Sequence, residues 1–189
     1  MRFNLPNALT WMRILMIPLF VGVFYFPHDW LSQSEKNLSS TVVFTVAALT
    51  DLLDGYLARK LNQVSAFGAF LDPVADKLMV AAALIVLVDL NRINAVIAVI
   101  IIGREITISA LREWMAHLGA AKSVAVSLLG KIKTVSQMVA IPMLLYHDPL
   151  DAFQPQQWGT GLILLAAALT LWSMFYYLKM AMPTVIKHG

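Results

Sequence analysis

The sequence predicts an all-α integral membrane protein in which six transmembrane helices form one bundle. Hydrophobic residues make up 59% of the chain and charged residues only 13%, about half of the 25% that soluble domains carry. The mean hydropathy of +0.72 is correspondingly high. A core built from 189 residues could not bury that much apolar surface, so lipid must be the main solvent.

Six apolar segments have about the 20 residues that a helix needs to cross the hydrocarbon layer. The predicted spans are 8–26, 39–59, 69–89, 93–116, 124–146 and 158–180. Polar residues or helix breakers separate them, and neither an internal repeat nor a long linker divides the chain. We therefore expect a single domain, 1–189. No small-residue cleavage site follows the first segment, so we expect a permanent span rather than a signal peptide.

The positive charges in the predicted loops indicate the orientation. One side holds six basic residues and the other holds two; the six are Arg2, Arg59, Lys60, Lys122, Lys179 and Lys187, and the two are Lys36 and Arg92. Cytoplasmic loops carry the excess of Lys and Arg, so both termini are expected in the cytoplasm. No basic run exceeds two residues, so a nucleic-acid partner is not expected. The lack of cysteine excludes disulfides and thiolate sites.

Ten charged residues lie inside or at the ends of these apolar segments. Each costs roughly 2.5–3.5 kcal/mol at the centre of a membrane helix, so such residues usually face the bundle interior and have a function there. They are Asp51, Asp54, Asp72, Asp76, Arg104, Glu105, Arg112, Glu113, Lys131 and Lys133.

The four aspartates predict a metal site. Asp51 and Asp54 are three residues apart, and Asp72 and Asp76 are four apart, so each pair shares one helix face. A short loop makes the two helices antiparallel neighbours, and four carboxylates should then meet at one depth. Arg59 follows Asp51 by eight residues, or about 12 Å of helix, which sets that depth just below the cytoplasmic headgroups. Hard oxygen ligands suit two Mg²⁺ or Mn²⁺ ions.

The spacing around these acids resembles a known family. The segment Asp51-x-x-Asp54-Gly55-x-x-Ala58-Arg59, followed by Gly68-x-x-x-Asp72-x-x-x-Asp76, matches the signature of the CDP-alcohol phosphotransferases without a departure. The resemblance extends over Asn4 to Arg13, Phe67 to Lys77, Arg104 to Trp114 and Gly130 to Thr134.

This resemblance implies a homodimeric enzyme of the bacterial inner membrane, with two metal ions held by the four aspartates and the active site facing the cytoplasm. It implies CDP-diacylglycerol as the donor, sn-glycerol 3-phosphate as the acceptor, and Asp76 as the general base for the acceptor hydroxyl. The residues implied to surround the CDP-lipid are Asp54, Gly55, Ala58, Arg59, Gly68 and Asp72. Asn7, Thr10 and Arg13 are expected there too, with helix capping or an interfacial position as the alternative.

Four basic residues are candidates for binding the acceptor phosphate: Arg104, Arg112, Lys131 and Lys133. Arginine can bind a phosphate through two parallel hydrogen bonds, and we favour Arg112 and Lys131. Serine or choline as acceptor would need no such cluster. Glu105 and Glu113 are expected to be structural partners of the neighbouring arginines.

Two other kinds of protein are weighed against this prediction. The same chemistry could use another acceptor, such as inositol phosphate, serine or another alcohol. A cation transporter could also place acids on membrane helices, but it predicts an inverted repeat, and the sequence has none. A purely structural membrane protein would have no use for ten charges in its spans.

Overall fold

The computed structural model describes residues 5–60, 66–118 and 128–188, which form six α-helices and one short 3-10 helix, without a β-strand in those ranges. Each predicted span falls on one helix, so the expectation of six helices is confirmed. The helices are α1 (Leu5–Gly22), α2 (Gln33–Lys60), α3 (Ala66–Asp89), α4 (Ala95–His117), α5 (Leu128–Tyr146) and α6 (Pro155–His188), and the 3-10 helix is Val23–Tyr25.

Helix α2 begins six residues before the predicted span because its first turn is polar. The backbone N–H and the hydroxyl of Ser32 donate to the Glu35 carboxylate at 2.8 and 2.7 Å, and the N–H of Glu35 faces the Ser32 hydroxyl at 3.4 Å. This is a Ser-x-x-Glu capping box, which satisfies N–H groups that the first turn leaves unpaired. The hydrogen bonds from Ser32 hold the pKa of Glu35 below its ordinary value.

Helix α6 is also longer than predicted. It starts at Pro155, a residue favoured in the first turn of a helix because its missing N–H needs no partner there, and it continues to His188. Its 34 residues span about 51 Å, which exceeds the roughly 30 Å hydrocarbon thickness of a bilayer.

One core joins all six helices, and α1 packs on both α2 and α3 while α6 packs on α4 and α5. Its residues with at most 1% exposure include Phe20, Phe44, Leu84, Ile101, Leu144 and Ile163, one from each helix. The contact between α5 and α6 is close because Gly159 has no side chain; a Cβ there would come within 2.8 Å of Leu144.

The outward faces of the helices are apolar as well. Each helix exposes at least one large hydrophobic side chain by more than half of its surface, for example Leu15, Leu49, Ile85, Val99, Val135 and Trp172. Among the described residues, Ala8–Tyr25 and Pro155–Pro183 are long and apolar enough to cross a membrane. Apolar surface on the outside as well as the inside is typical of a protein that meets lipid.

The two basic residues that the sequence places in outer loops are buried. The Arg92 guanidinium donates to the carbonyls of Leu144 and Leu145, in the last turn of α5, at 2.9 and 2.5 Å and to the Asn37 side chain at 2.5 Å. Lys36 donates to the carbonyl of Phe26 at 2.6 Å. Both cations therefore satisfy carbonyl groups that a helix end leaves unpaired, and they fasten this end of the bundle.

Candidate active site

Helix α1 holds the acidic ends of α2 and α3 through two side chains. Arg13 is 1% exposed, and its guanidinium forms an ion pair with Asp51 at 2.6 Å. One turn earlier, the buried Thr10 hydroxyl donates to the Asp72 carboxylate. The start of α1, the end of α2 and the start of α3 consequently meet at one end of the bundle.

Two of the four predicted carboxylates line one small cavity. Asp51 and Asp76 share it with Arg13, and Phe44 and Met79 are among its apolar walls. The cavity measures about 10 Å³, which is close to the volume of one water-sized probe. The second and third helices thus bring Asp51 and Asp76 to one cavity, and the meeting of all four carboxylates stays a prediction.

The complete metal site is not described. Among the side chains that the structure describes, no three acids or histidines form a group that could hold a metal ion, and Asp72 binds Thr10. Four predicted side chains lie outside the described residues: Asp54, Ala58 and Arg59 on α2 and Asn7 on α1. The surroundings of Gly55 on α2 lie outside them as well. Gly68 is described and buried. The carboxylate oxygens of Asp51 and Asp76 are hard ligands, and these fit Mg²⁺ or Mn²⁺ better than zinc.

Asp76 also lines a second cavity, on the side toward α4 and α5. This cavity measures about 50 Å³, and most of its lining residues are polar or charged: Asp76, Lys77, Glu105, Lys133, Thr134 and Gln137, with Val80 and Met138. A buried water needs roughly 10–15 Å³ by this measure, so the space admits a few waters or a small polar group. Asp76 therefore lies between the acidic cavity and a region that contains basic residues.

Glu105 is the acid at the centre of that basic region. Its carboxylate accepts from Lys133 and from Arg104, the latter at 3.3 Å. The side chains of Lys133 and Arg104 are only 4% and 6% exposed, and Arg104 also donates to the Ser173 hydroxyl at 3.0 Å. The structural pairing expected for Glu105 is confirmed, and one carboxylate here faces two buried cations.

Arg112 joins this group through an aromatic ring. The guanidinium carbons of Arg112 and Arg104 lie 5.3 and 5.7 Å from the ring centre of Tyr177, which is 1% exposed. The Nε atoms of both arginines are buried and have no hydrogen-bond partner among the described residues. Of the four predicted phosphate ligands, the structure thus gathers Arg104, Arg112 and Lys133, whereas Lys131 is exposed.

Ser173 and Tyr177 were not predicted as parts of the site. Arg13 was expected near the nucleotide, but its ion pair with Asp51 was not predicted. A signal existed for Arg13, because an arginine inside an apolar span needs an acidic partner, and the nearest candidates were the predicted aspartates. Ser173 and Tyr177 lie in an apolar helix where hydroxyl and aromatic residues are common, and nothing in the pattern separated them from their neighbours.

The chain belongs to the CDP-alcohol phosphatidyltransferase family, whose model matches residues 3–172. This confirms the family resemblance carried by the aspartate signature. The matched residues run from α1, which carries Thr10 and Arg13, to the residue of α6 just before Ser173.

Curated relatives from enteric bacteria cover nearly the whole chain. The proteins of Salmonella typhimurium strain LT2, Salmonella paratyphi A and Escherichia coli K12 are each 48% identical to it in an alignment of 187 residues that covers 96% of each chain. Each is named CDP-diacylglycerol–glycerol-3-phosphate 3-phosphatidyltransferase.

Proposed function

We propose that this protein transfers the phosphatidyl group of CDP-diacylglycerol to sn-glycerol 3-phosphate and releases CMP. Membership of the family and the name shared by relatives of nearly equal length support this activity. The products would be phosphatidylglycerophosphate and CMP, and the reaction would supply the synthesis of phosphatidylglycerol and cardiolipin.

The observation that carries the proposal is the position of Asp76 between two cavities. On one side are Asp51 and Arg13; on the other are Glu105 and Lys133. A carboxylate that takes the proton of an acceptor must reach the donor phosphorus and the acceptor hydroxyl together. Asp76 has polar neighbours on both sides, and the other acids of the described region do not line both cavities.

In the proposed reaction the acceptor hydroxyl oxygen attacks the phosphorus that carries the diacylglycerol. A new oxygen–phosphorus bond forms, the bond to the CMP oxygen breaks, and CMP leaves with that electron pair. The hydroxyl proton passes to Asp76. A positioned base of this kind typically contributes about 10²- to 10⁴-fold to the rate.

The acceptor is itself a phosphate ester, which explains the excess of buried positive charge. Arg104 and Lys133 face the single carboxylate of Glu105, and Arg112 lies on the Tyr177 ring, its Nε without a hydrogen-bond partner in the part of the chain that the structure describes. A phosphate dianion would supply acceptors for these donors. We therefore assign Arg112, Arg104 and Lys133 to the acceptor phosphate, and the exposed Lys131 to its approach.

The donor side rests on the aspartates and the signature residues. Asp51, Asp54, Asp72 and Asp76 would hold two Mg²⁺ or Mn²⁺ ions, which neutralise charge that develops on the pyrophosphate. Gly55, Ala58, Arg59 and Gly68, with Asn7 and Thr10, would surround the CDP group. Because Arg13 and Thr10 hold Asp51 and Asp72, α1 would keep these carboxylates in place before substrate binds.

We further propose that all six helices span the bacterial inner membrane as one domain, with the acidic end of the bundle and both termini in the cytoplasm. The excess of basic residues on that side supports the orientation. The apolar outer faces of the helices support contact with membrane lipids. The active unit would be a homodimer, as the family resemblance implies.

One assay tests the activity. Purified protein in detergent is mixed with CDP-diacylglycerol, Mg²⁺ and one acceptor at a time: glycerol 3-phosphate, inositol phosphate, serine or glycerol. We expect CMP release with glycerol 3-phosphate alone, and none after the divalent ion is chelated. Release with another alcohol but not with glycerol 3-phosphate would refute the acceptor and keep the transfer chemistry. Absence of release with every acceptor would refute the transfer itself.

A further inference from the structure

We propose that Tyr177 of α6 is a positioning residue for the acceptor site, whose ring holds Arg104 and Arg112 where they bind the phosphate of glycerol 3-phosphate. The inference rests on the proposed function and adds a residue to it. Tyr177 lies outside the residues that the family model matches, and it carries no part of the aspartate signature.

The contact geometry supports this role. Both guanidinium carbons lie within the roughly 6 Å range in which a cation is attracted to a ring face, at 5.3 Å for Arg112 and 5.7 Å for Arg104. The two arginines are eight residues apart on α4, about two helical turns, so a single ring on α6 bridges that distance. Ser173, one turn before Tyr177, holds Arg104 by a hydrogen bond of 3.0 Å.

An aromatic ring suits a phosphate site better than a further carboxylate would. A carboxylate beside Arg112 would neutralise its charge and compete with the substrate for its N–H donors. A ring attracts the cation through its quadrupole and leaves those donors available, including the buried Nε atoms that have no partner among the described residues. The 1% exposure of Tyr177 keeps water from weakening the contact.

The ring is fixed by its own packing. Tyr177 belongs to a cluster of buried residues with Ile108 and Met115 of α4 and Ala181 of α6. Ile108 and Met115 flank Arg112 along α4. Because both helices contribute to this cluster, a shift of α6 would change the direction in which the side chains of the two arginines extend from α4.

Steady-state kinetics of CMP release test the proposal. Tyr177→Leu should raise the KM for glycerol 3-phosphate about ten-fold, which corresponds to about 1.4 kcal/mol. The kcat and the KM for CDP-diacylglycerol should stay within about two-fold of their wild-type values. Tyr177→Phe keeps the ring and should stay within about two-fold of wild type in all three constants. Phe175→Leu, a change at an exposed ring on the same helix, should leave all three constants at their wild-type values.

Replacement of Tyr177 by trifluorophenylalanine separates electrostatics from packing. Fluorine depletes the negative face of the ring with little change in volume, so the KM for glycerol 3-phosphate should exceed that of Tyr177→Phe even if Tyr177→Leu does not fold. An equal KM for the fluorinated and plain rings would refute the proposal, and so would Tyr177→Phe behaving like Tyr177→Leu. A wild-type protein that releases no CMP with glycerol 3-phosphate would refute the proposed function instead.

Discussion

The ion pair between Arg13 and Asp51 should be a measurable source of stability. Its atoms are 2.6 Å apart, with Arg13 1% and Asp51 34% exposed. Loss of one partner of a fully buried pair costs about 3–5 kcal/mol, whereas a charge-assisted hydrogen bond contributes roughly 1.5–3 kcal/mol. Because solvent reaches a third of Asp51, the lower range applies. We expect a coupling energy of about 1.5–3 kcal/mol.

A double-mutant cycle measures this energy directly. Arg13→Met keeps most of the side-chain volume, Asp51→Asn keeps the shape of the carboxylate, and their combination completes the cycle. Unfolding is followed in mixed detergent micelles with a chelator present, so that bound metal does not add to stability. The control cycle pairs Arg13→Met with Asp89→Asn, since Asp89 is exposed at the opposite end of α3.

The control cycle should be additive within about 0.5 kcal/mol. If the cycle of Arg13 and Asp51 were additive to the same degree, the ion pair would contribute nothing and α1 would not hold the acidic end of α2. The three variants should also release CMP more slowly than wild type. Arg13→Met would leave the Asp51 carboxylate free to move away from the pyrophosphate, and Asp51→Asn removes that carboxylate.

The remaining predictions concern the two halves of the site and the opposite end of the bundle. Asp76→Asn should leave the protein folded and lower kcat about 100-fold or more; wild-type turnover would remove Asp76 from the reaction. Arg112→Ala should raise the KM for glycerol 3-phosphate by about ten-fold or more, and an unchanged KM would contradict its assignment to the phosphate. Arg92→Ala removes two hydrogen bonds to carbonyls of α5 and one to Asn37 of α2, and it should lower the melting temperature by several degrees while both KM values stay at wild type. Burial, reinforced by the charge of Arg92, lowers the pKa of His147 below its ordinary value. The unfolded chain therefore takes up this proton at higher pH than the folded protein does, and stability is lost as pH falls below about 6.5 through the folded pKa. His147→Asn, a residue tolerated at the positive φ of 61°, should flatten that pH dependence of the melting temperature.

The sequence was most informative where one residue type had to satisfy one physical requirement. Apolar segments about 20 residues long predicted the six helices, because a membrane span must be both long and apolar. Acids inside such segments predicted a shared site, and Asp51 and Asp76 do line one cavity. The pairing of Glu105 followed from the same argument, since a carboxylate in an apolar helix needs a cation.

The parts that could not be predicted depend on distances between helices. Tyr177 is one of several aromatic residues on α6, and only the packing of α4 against α6 shows that its ring is the one under two arginines. Lys36 and Arg92 illustrate the same limit, because a count of loop charges does not reveal that both are buried and cap helix ends. The start of α2, by contrast, could have been predicted from the sequence. Ser32 and Glu35 have the spacing of a capping box, but a hydropathy pattern does not detect capping residues.

The contacts of α1 and α6 also set an order for assembly during synthesis. Arg13 and Thr10 lie on α1, and their partners Asp51 and Asp72 follow on α2 and α3. The contacts of the acidic half are therefore complete once α3 has been synthesised, whereas those of the basic half need Ser173 and Tyr177 of α6. A nascent chain would thus hold Asp51 and Asp72 in place before Arg104 gains its partners Ser173 and Tyr177 on α6.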